Sequence, residues 1–207
     1  SGGEVEGGCG AGVRLRGGGT CGVTKCGWAG MGAVVGLGFA PSRIAVNDTA
    51  ANIESDLASG TPVIVANLGA ISGIAVNDAG TIQLTDAQIQ APGVDDGAGS
   101  ALSKLTGATI VATGVPIADI DTILALDVVP ASIAVSDTAA NIQSDLMGGT
   151  PVLVADRAHV SAIEVSGSSA ISLTVEQAEA NHISDGARSV FAKVPAGPRA
   201  ISDATAA

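Results

Sequence analysis

The chain has 207 residues, 46% of them hydrophobic but only 1% aromatic, with no Tyr and a formal net charge of −11. The acidic balance argues against nucleic acid and against an anionic membrane surface, both of which reward Lys and Arg. The missing rings remove the platform on which bases and sugars stack, and they leave the core to Ile, Val, Leu and Ala, which suit thin regular layers better than one globular centre.

Residues 1–40 differ from the rest of the chain, since Ser1 to Ala40 holds 15 of the 29 glycines together with Cys9, Cys21 and Cys26. No alternation or helical period runs through them, and such glycine density makes ordering costly in backbone entropy. The segment therefore reads as an irregular leader, of the kind left by a tag or by GC-rich coding sequence read out of frame. The cysteine spacing matches no zinc ribbon or finger, and an odd count leaves at least one thiol without an internal partner. Met31 to Ala40 is apolar but interrupted by Gly and far too short to cross a bilayer as a helix. It reads as a linker or peripheral strand.

The next segment, Ile44 to Ala91, returns as Ile133 to Ala180, the heads reading IAVNDTAANIESDLASGTPVIVA and IAVSDTAANIQSDLMGGTPVLVA. A strand is predicted at Arg43 to Val46, then a helix capped by Asp48, with Ala50, Ile53 and Leu57 on one face and Gly60 at its close. The second copy offers Asp137, Ala139, Ile142, Leu146 and Gly148 in the same roles. Pro62 to Ala66 and its echo Pro151 to Ala155 read as apolar strands with Pro at the first position. Further strands are predicted at Gly73 to Val76 and Thr81 to Thr85, with turn chemistry at Asn77 to Gly80 between them and Ile82 and Leu84 pointing inward. Thr85 to Gln88 and Thr174 to Gln177 have capping-box spacing, so each copy should end in a short helix.

The interval between the copies carries a degraded version of the same order, with a cap and helix at Val94 to Leu102 and strands at Thr109 to Ala112 and Thr122 to Leu126. The marker aspartates Asp48, Asp96, Asp137 and Asp185 stand 48, 41 and 48 residues apart. This predicts an α/β fold: an elongated, solenoid-like stack of short strands with one main helix per unit of about 41–48 residues. The array spans residues 41–192, with units near 42–91, 92–132 and 133–180 and the start of a fourth at Ile183. Residues 193–207 form a tail, with Pro195 and Pro198 breaking any extension and Ala200 to Ala207 frayed.

The head motif V-x-D-T-A-A-N-I, followed by S-D-L, a strand and later x-I-x-L-T-x-x-Q, resembles repeats of very large secreted and surface proteins of bacteria. These are described as β-strand-repeat or adhesin-like proteins, some of them associated with RTX tracts. The resemblance covers residues 41–192 and is strongest over Asp48 to Leu57 and Asp137 to Leu146. It implies export to the medium or cell surface and a structural or adhesive role, with a protein or cell-surface partner, and it implies no catalytic residues. The calcium-binding glycine-aspartate nonapeptide of RTX proteins is absent.

Chemistry-bearing residues are few. His159 and His182 are the only histidines, each with an aspartate three positions away, Asp156 and Asp185, and a hydrolase would add a serine such as Ser100, Ser161 or Ser184. No G-x-S-x-G elbow exists, and solvated turn histidines give the plainer account. Calcium is the candidate cofactor, at Asp78 and at Asp95 and Asp96, where short carboxylates meet tight turns; turns without metal explain the same residues. Walker and dinucleotide motifs are absent. The expectation is a structural or adhesive repeat without a transmembrane segment, able to oligomerise through exposed repeat ends. The alternative is a small ester or lactone hydrolase, dependent on a divalent ion.

Overall fold

The computed structural model describes residues 14–16, 20–26, 43–179, 189–195, 197 and 199–202. The chain is α/β, with eight α-helices and two 3-10 turns among the described residues, and it divides into two units. The first runs to Ile110 and includes Leu126–Val128; the second takes Val111–Ala125 and the residues from Val129 on.

In the first unit, β1 (Arg14–Arg16) pairs antiparallel with β2 (Thr20–Cys26), and every later pairing in that sheet is parallel. The strand β3 (Arg43–Asp48) lies between β2 and β4 (Ile71–Val76). After β5 (Thr81–Thr85), the two-residue β6 (Leu105–Thr106) closes the order β1-β2-β3-β4-β6. Parallel neighbours need a crossover, and between β3 and β4 it is made by α1 (Ala50–Leu57) and α2 (Val63–Ala66). A short α3 (Asp86–Ile89) follows β5.

The second unit repeats the plan. The strand β7 (Thr109–Val115), from Val111 on a member of this unit, pairs parallel with β8 (Ser132–Thr138), and β8 pairs parallel with β9 (Val160–Ser166). Between β7 and β8 comes α4 (Ile120–Leu124), and between β8 and β9 come α5 (Ala139–Leu146) and α6 (Val152–Ala155). Next are β10 (Ile171–Thr174), α7 (Val175–Glu179), α8 (Val190–Lys193) and β11 (Arg199–Ser202), with β10 and β11 parallel.

Each unit has its own aliphatic core, and the two cores match at an offset of 89 residues, the distance from Ile44 to Ile133. Ile44, Val46, Ile53, Leu57, Ile64 and Ile74 are buried in the first; Ile133, Val135, Ile142, Leu146, Leu153 and Ile163 are buried in the second. Burying such a side chain contributes about 1.5–3 kcal/mol. The predicted inward faces of the helices are therefore correct, as are Ile82 and Leu84, both fully buried on β5.

Several local expectations are corrected. Pro62 to Ala66 and Pro151 to Ala155 are not strands: Val63–Ala66 and Val152–Ala155 are single helical turns with Pro62 and Pro151 at the N-cap. A four-residue apolar run has no period of its own, so its neighbours decide its state. Here the deciding groups are the Asp56 and Asp145 carboxylates. Asp56 accepts the N–H groups of Val63 and Ile64, both at 2.9 Å, and Asp145 accepts those of Val152 and Leu153 at 2.8 and 3.2 Å. The donors that a first helical turn leaves orphaned are thereby satisfied.

The N-caps of the main helices are Thr49 and Thr138, not Asp48 and Asp137. Each aspartate sits one residue earlier, its Oδ1 accepting from the following threonine N–H and from the side-chain amide of Asn52 or Asn141. The helices end at Leu57 and Leu146, before Gly60 and Gly148.

The interval between the copies also departs from expectation. Thr122 falls inside helix α4 instead of opening a strand, and Val94 to Leu102 forms turns leading to a 3-10 turn at Leu102–Lys104. Strands β1 and β2 lie within residues for which the sequence predicts no regular element, and β11 occupies Arg199–Ser202, where the sequence predicts fraying. Backbone pairing explains both, since β2 is held by β3 and β11 by β10 without any demand for an apolar pattern. One irregularity of pairing recurs at the same offset. Cys26 aligns with Val46 after a register shift in β2, as Val115 aligns with Val135 after one in β7, and Cys26 and Val115 are again 89 residues apart.

Candidate functional site

The sequence candidates fall in different places. Ser100, Asp78, Asp95 and Asp96 belong to the first unit; Asp156, His159 and Ser161 belong to the second. His182, Ser184 and Asp185, together with the predicted start of a fourth repeat at Ile183, lie outside the described residues.

Ser161 occupies a bulge in β9. Ile133 pairs with Val160 and Ala134 with Ala162, so Ser161 is the extra residue, and its Oγ donates to the Ile133 carbonyl at 3.1 Å. Ser72 does the same in β4, where Ile44 pairs with Ile71 and Ala45 with Gly73, its Oγ donating to the Ile44 carbonyl at 3.1 Å. A hydroxyl committed to a strand carbonyl in both copies is a register device.

His159 is exposed, and its contacts run through the backbone: its N–H donates to the Asp156 carbonyl at 2.9 Å and its own carbonyl accepts from Ile133 N–H at 2.8 Å. No side-chain hydrogen bond joins His159 to Asp156 or to Ser161 among the described residues. Orientation of an imidazole by a carboxylate is thus missing from this pair. Ser100 is buried and its Oγ accepts the Ser103 N–H at 3.3 Å, a local bond to the backbone of the following 3-10 turn, whose N-cap is Ala101. Its counterpart 89 residues on, Ser189, caps α8 by accepting the Ala192 N–H at 3.2 Å.

The carboxylates proposed for calcium are also engaged by backbone. Asp78 Oδ1 accepts from Ala50 N–H at 3.0 Å and Gly80 N–H at 3.1 Å, joining the turn after β4 to the first residue of α1. That turn holds Ala79 at φ 50°, in the left-handed region, where a local acceptor such as Asp78 helps fix the backbone. Asp96 is exposed and its Oδ2 accepts from Gly93 N–H at 2.9 Å. Among the described residues no group of three or more His, Cys, Asp or Glu side chains is placed to hold a metal ion.

Asp95 is the exception to this pattern of satisfied groups. It is 5% exposed, its Oδ2 accepts from Val128 N–H at 3.2 Å, and its Oδ1 is buried with no partner. Burial pushes its pKa above the usual carboxylate value; the Val128 hydrogen bond opposes the shift, and the charges of Asp127 and Asp96 add to it. The letters around Asp95 point to a metal, whereas the fold buries it with one oxygen paired and the other without a partner, which no sequence pattern displays.

Lysine supplies a role that sequence reasoning missed. Lys104 Nζ donates to the Ile71 carbonyl at 2.9 Å, and Lys193, 89 residues later, donates to the carbonyls of Val160 and Arg157. Ile71 and Val160 stand at the same register in β4 and β9, opposite Ile44 and Ile133, so each lysine caps the start of an equivalent strand. Desolvation and the neighbouring Arg157 hold the Lys193 ammonium below its usual pKa. The signal was available as a constant offset, but only between positions outside the obvious repeat heads.

No helix among the described residues is long and apolar enough to cross a membrane. Comparison with known proteins finds no matching family model, no matching curated protein and no matching solved structure.

Proposed function

We propose that the chain is a structural repeat scaffold of adhesive type, exported to the surface of a bacterium or beyond it, in which parallel strands continue from repeat to repeat as a solenoid-like stack. The observation that carries this reading is the recurrence, at one offset, of hydrogen bonds whose only product is backbone order. Asp56 and Asp145 cap helical turns, Ser72 and Ser161 pin bulges, and Lys104 and Lys193 cap strand starts. The resemblance of the repeat heads to those of bacterial surface proteins supports export and an adhesive role. Its partner would be a protein or another cell-surface component.

The test is a chain lengthened by one further copy of residues 109–197, with the maximum dimension measured by small-angle X-ray scattering. A stack grows by a constant increment per copy and gains stability with each interface. Growth in volume without a proportionate increase in length would overturn the reading. Ester or lactone hydrolysis gains no support, because the hydroxyls of Ser100 and Ser161 serve the backbone and His159 has no orienting carboxylate among the described residues.

A further inference from the structure

The segment Leu126–Val128 belongs to the first unit although the chain on either side of it belongs to the second. The hydrogen bond from Val128 N–H to Asp95 Oδ2 is one of the contacts that hold this excursion in place. Asp95 sits in a loop closed by backbone hydrogen bonds. Its neighbour Val94 is 1% exposed, and the loop around it is closed by Ala101 N–H to Gly93 O at 2.8 Å and Leu102 N–H to Val94 O at 2.9 Å.

The surroundings of this carboxyl are of one sign. Asp96 lies on the same loop and Asp127 on the tethered segment, an ideal Cβ at Gly97 standing 3.7 Å from Asp127 Oδ2. No cation pairs with Asp95 among the described residues, and its Oδ1 has no donor. An ionised carboxylate here carries a buried charge with one hydrogen bond and two like-charged neighbours, which the neutral acid avoids. Opening the loop toward water relieves that cost.

We propose that Asp95 is a proton-operated latch: as the neutral acid it keeps Leu126–Val128 docked on the first unit, and its ionisation releases the segment. The raised pKa of the closed state agrees in sign, since a carboxyl that holds its proton more tightly when docked stabilises docking at low pH. That stabilisation is complete below the unperturbed carboxyl value, near pH 4, and is lost as pH rises through the value of the docked state.

Hydrogen–deuterium exchange of the full chain, read on peptides covering residues 126–130 and corrected for intrinsic exchange, tests the latch. Protection of the Val128 amide should fall severalfold between about pH 4 and pH 8, in the direction set by the carboxyl that holds its proton more tightly when docked. Asp95→Asn keeps the shape and cannot ionise, so its protection should not vary with pH. Asp127→Asn, at an exposed position that leaves the core untouched, removes one repelling charge and should shrink the drop. The latch is overturned by identical pH profiles in wild type and Asp95→Asn, by an unchanged drop in Asp127→Asn, or by calcium restoring full protection at pH 8, which would make a cation and not a proton the operator.

Discussion

Asp56, only 3% exposed, accepts the N–H of Ile64 at 2.9 Å across a turn of eight residues. With its other oxygen on Val63 N–H, one carboxylate satisfies two donors and so starts a helical turn that its own residues would not begin. Asp145 repeats the arrangement with Val152 and Leu153. A buried carboxylate is tolerated because its charge is met by backbone donors, the condition under which such burial stabilises.

Asp56→Ala should therefore cost about 1–3 kcal/mol, since it strands two donors near the core, and Asp145→Ala should cost a similar amount. The measurement is the urea midpoint at constant slope. Asp56→Asn keeps one acceptor and should fall between wild type and alanine.

Ile53 and Ile142, both fully buried on the main helices, define the core of their units. Replacing either with Asp buries an unpaired charge without the backbone donors that Asp56 enjoys, at a cost of several kcal/mol. Thermal melts followed by circular dichroism should show the loss of at least the affected unit. An unchanged melt would mean that these faces are not core.

Gly107 sits at φ +80°, and an added Cβ would lie 2.8 Å from the Val76 carbonyl oxygen. Gly107→Ala combines a left-handed backbone with a clash against main chain, so it should destabilise by more than about 1 kcal/mol. Gly60, which has open space around its Cβ direction and no positive φ, is the control, and Gly60→Ala should be close to neutral.

Ser161→Ala and Ser72→Ala should behave alike. Each removes a hydroxyl that donates to a strand carbonyl, so each should lose about 0.5–1.5 kcal/mol in chemical unfolding. Turnover of a p-nitrophenyl ester separates the register role from catalysis. A specific loss with Ser161→Ala that Ser72→Ala does not share would restore the nucleophile.

The sequence alone determined the features that depend on spacing within a few residues. The faces bearing Ile53 and Ile142 follow from the helical period, and the capping box at Thr85 and Gln88 has both of its hydrogen bonds. Thr174 and Gln177 exchange the same pair. The α/β class is legible for the same reason. Only tertiary structure decided the rest. Whether VIVA at Val63–Ala66 coils or extends depends on a carboxylate seven residues away, and whether Arg199–Ser202 pairs depends on β10. Asp95 shows the limit most plainly: as letters, Asp95-Asp96-Gly97 is a turn rich in oxygen ligands, but the fold takes water from one carboxyl and leaves it beside two others. Burial depends on what long-range packing removes from solvent, and local spacing holds no record of it.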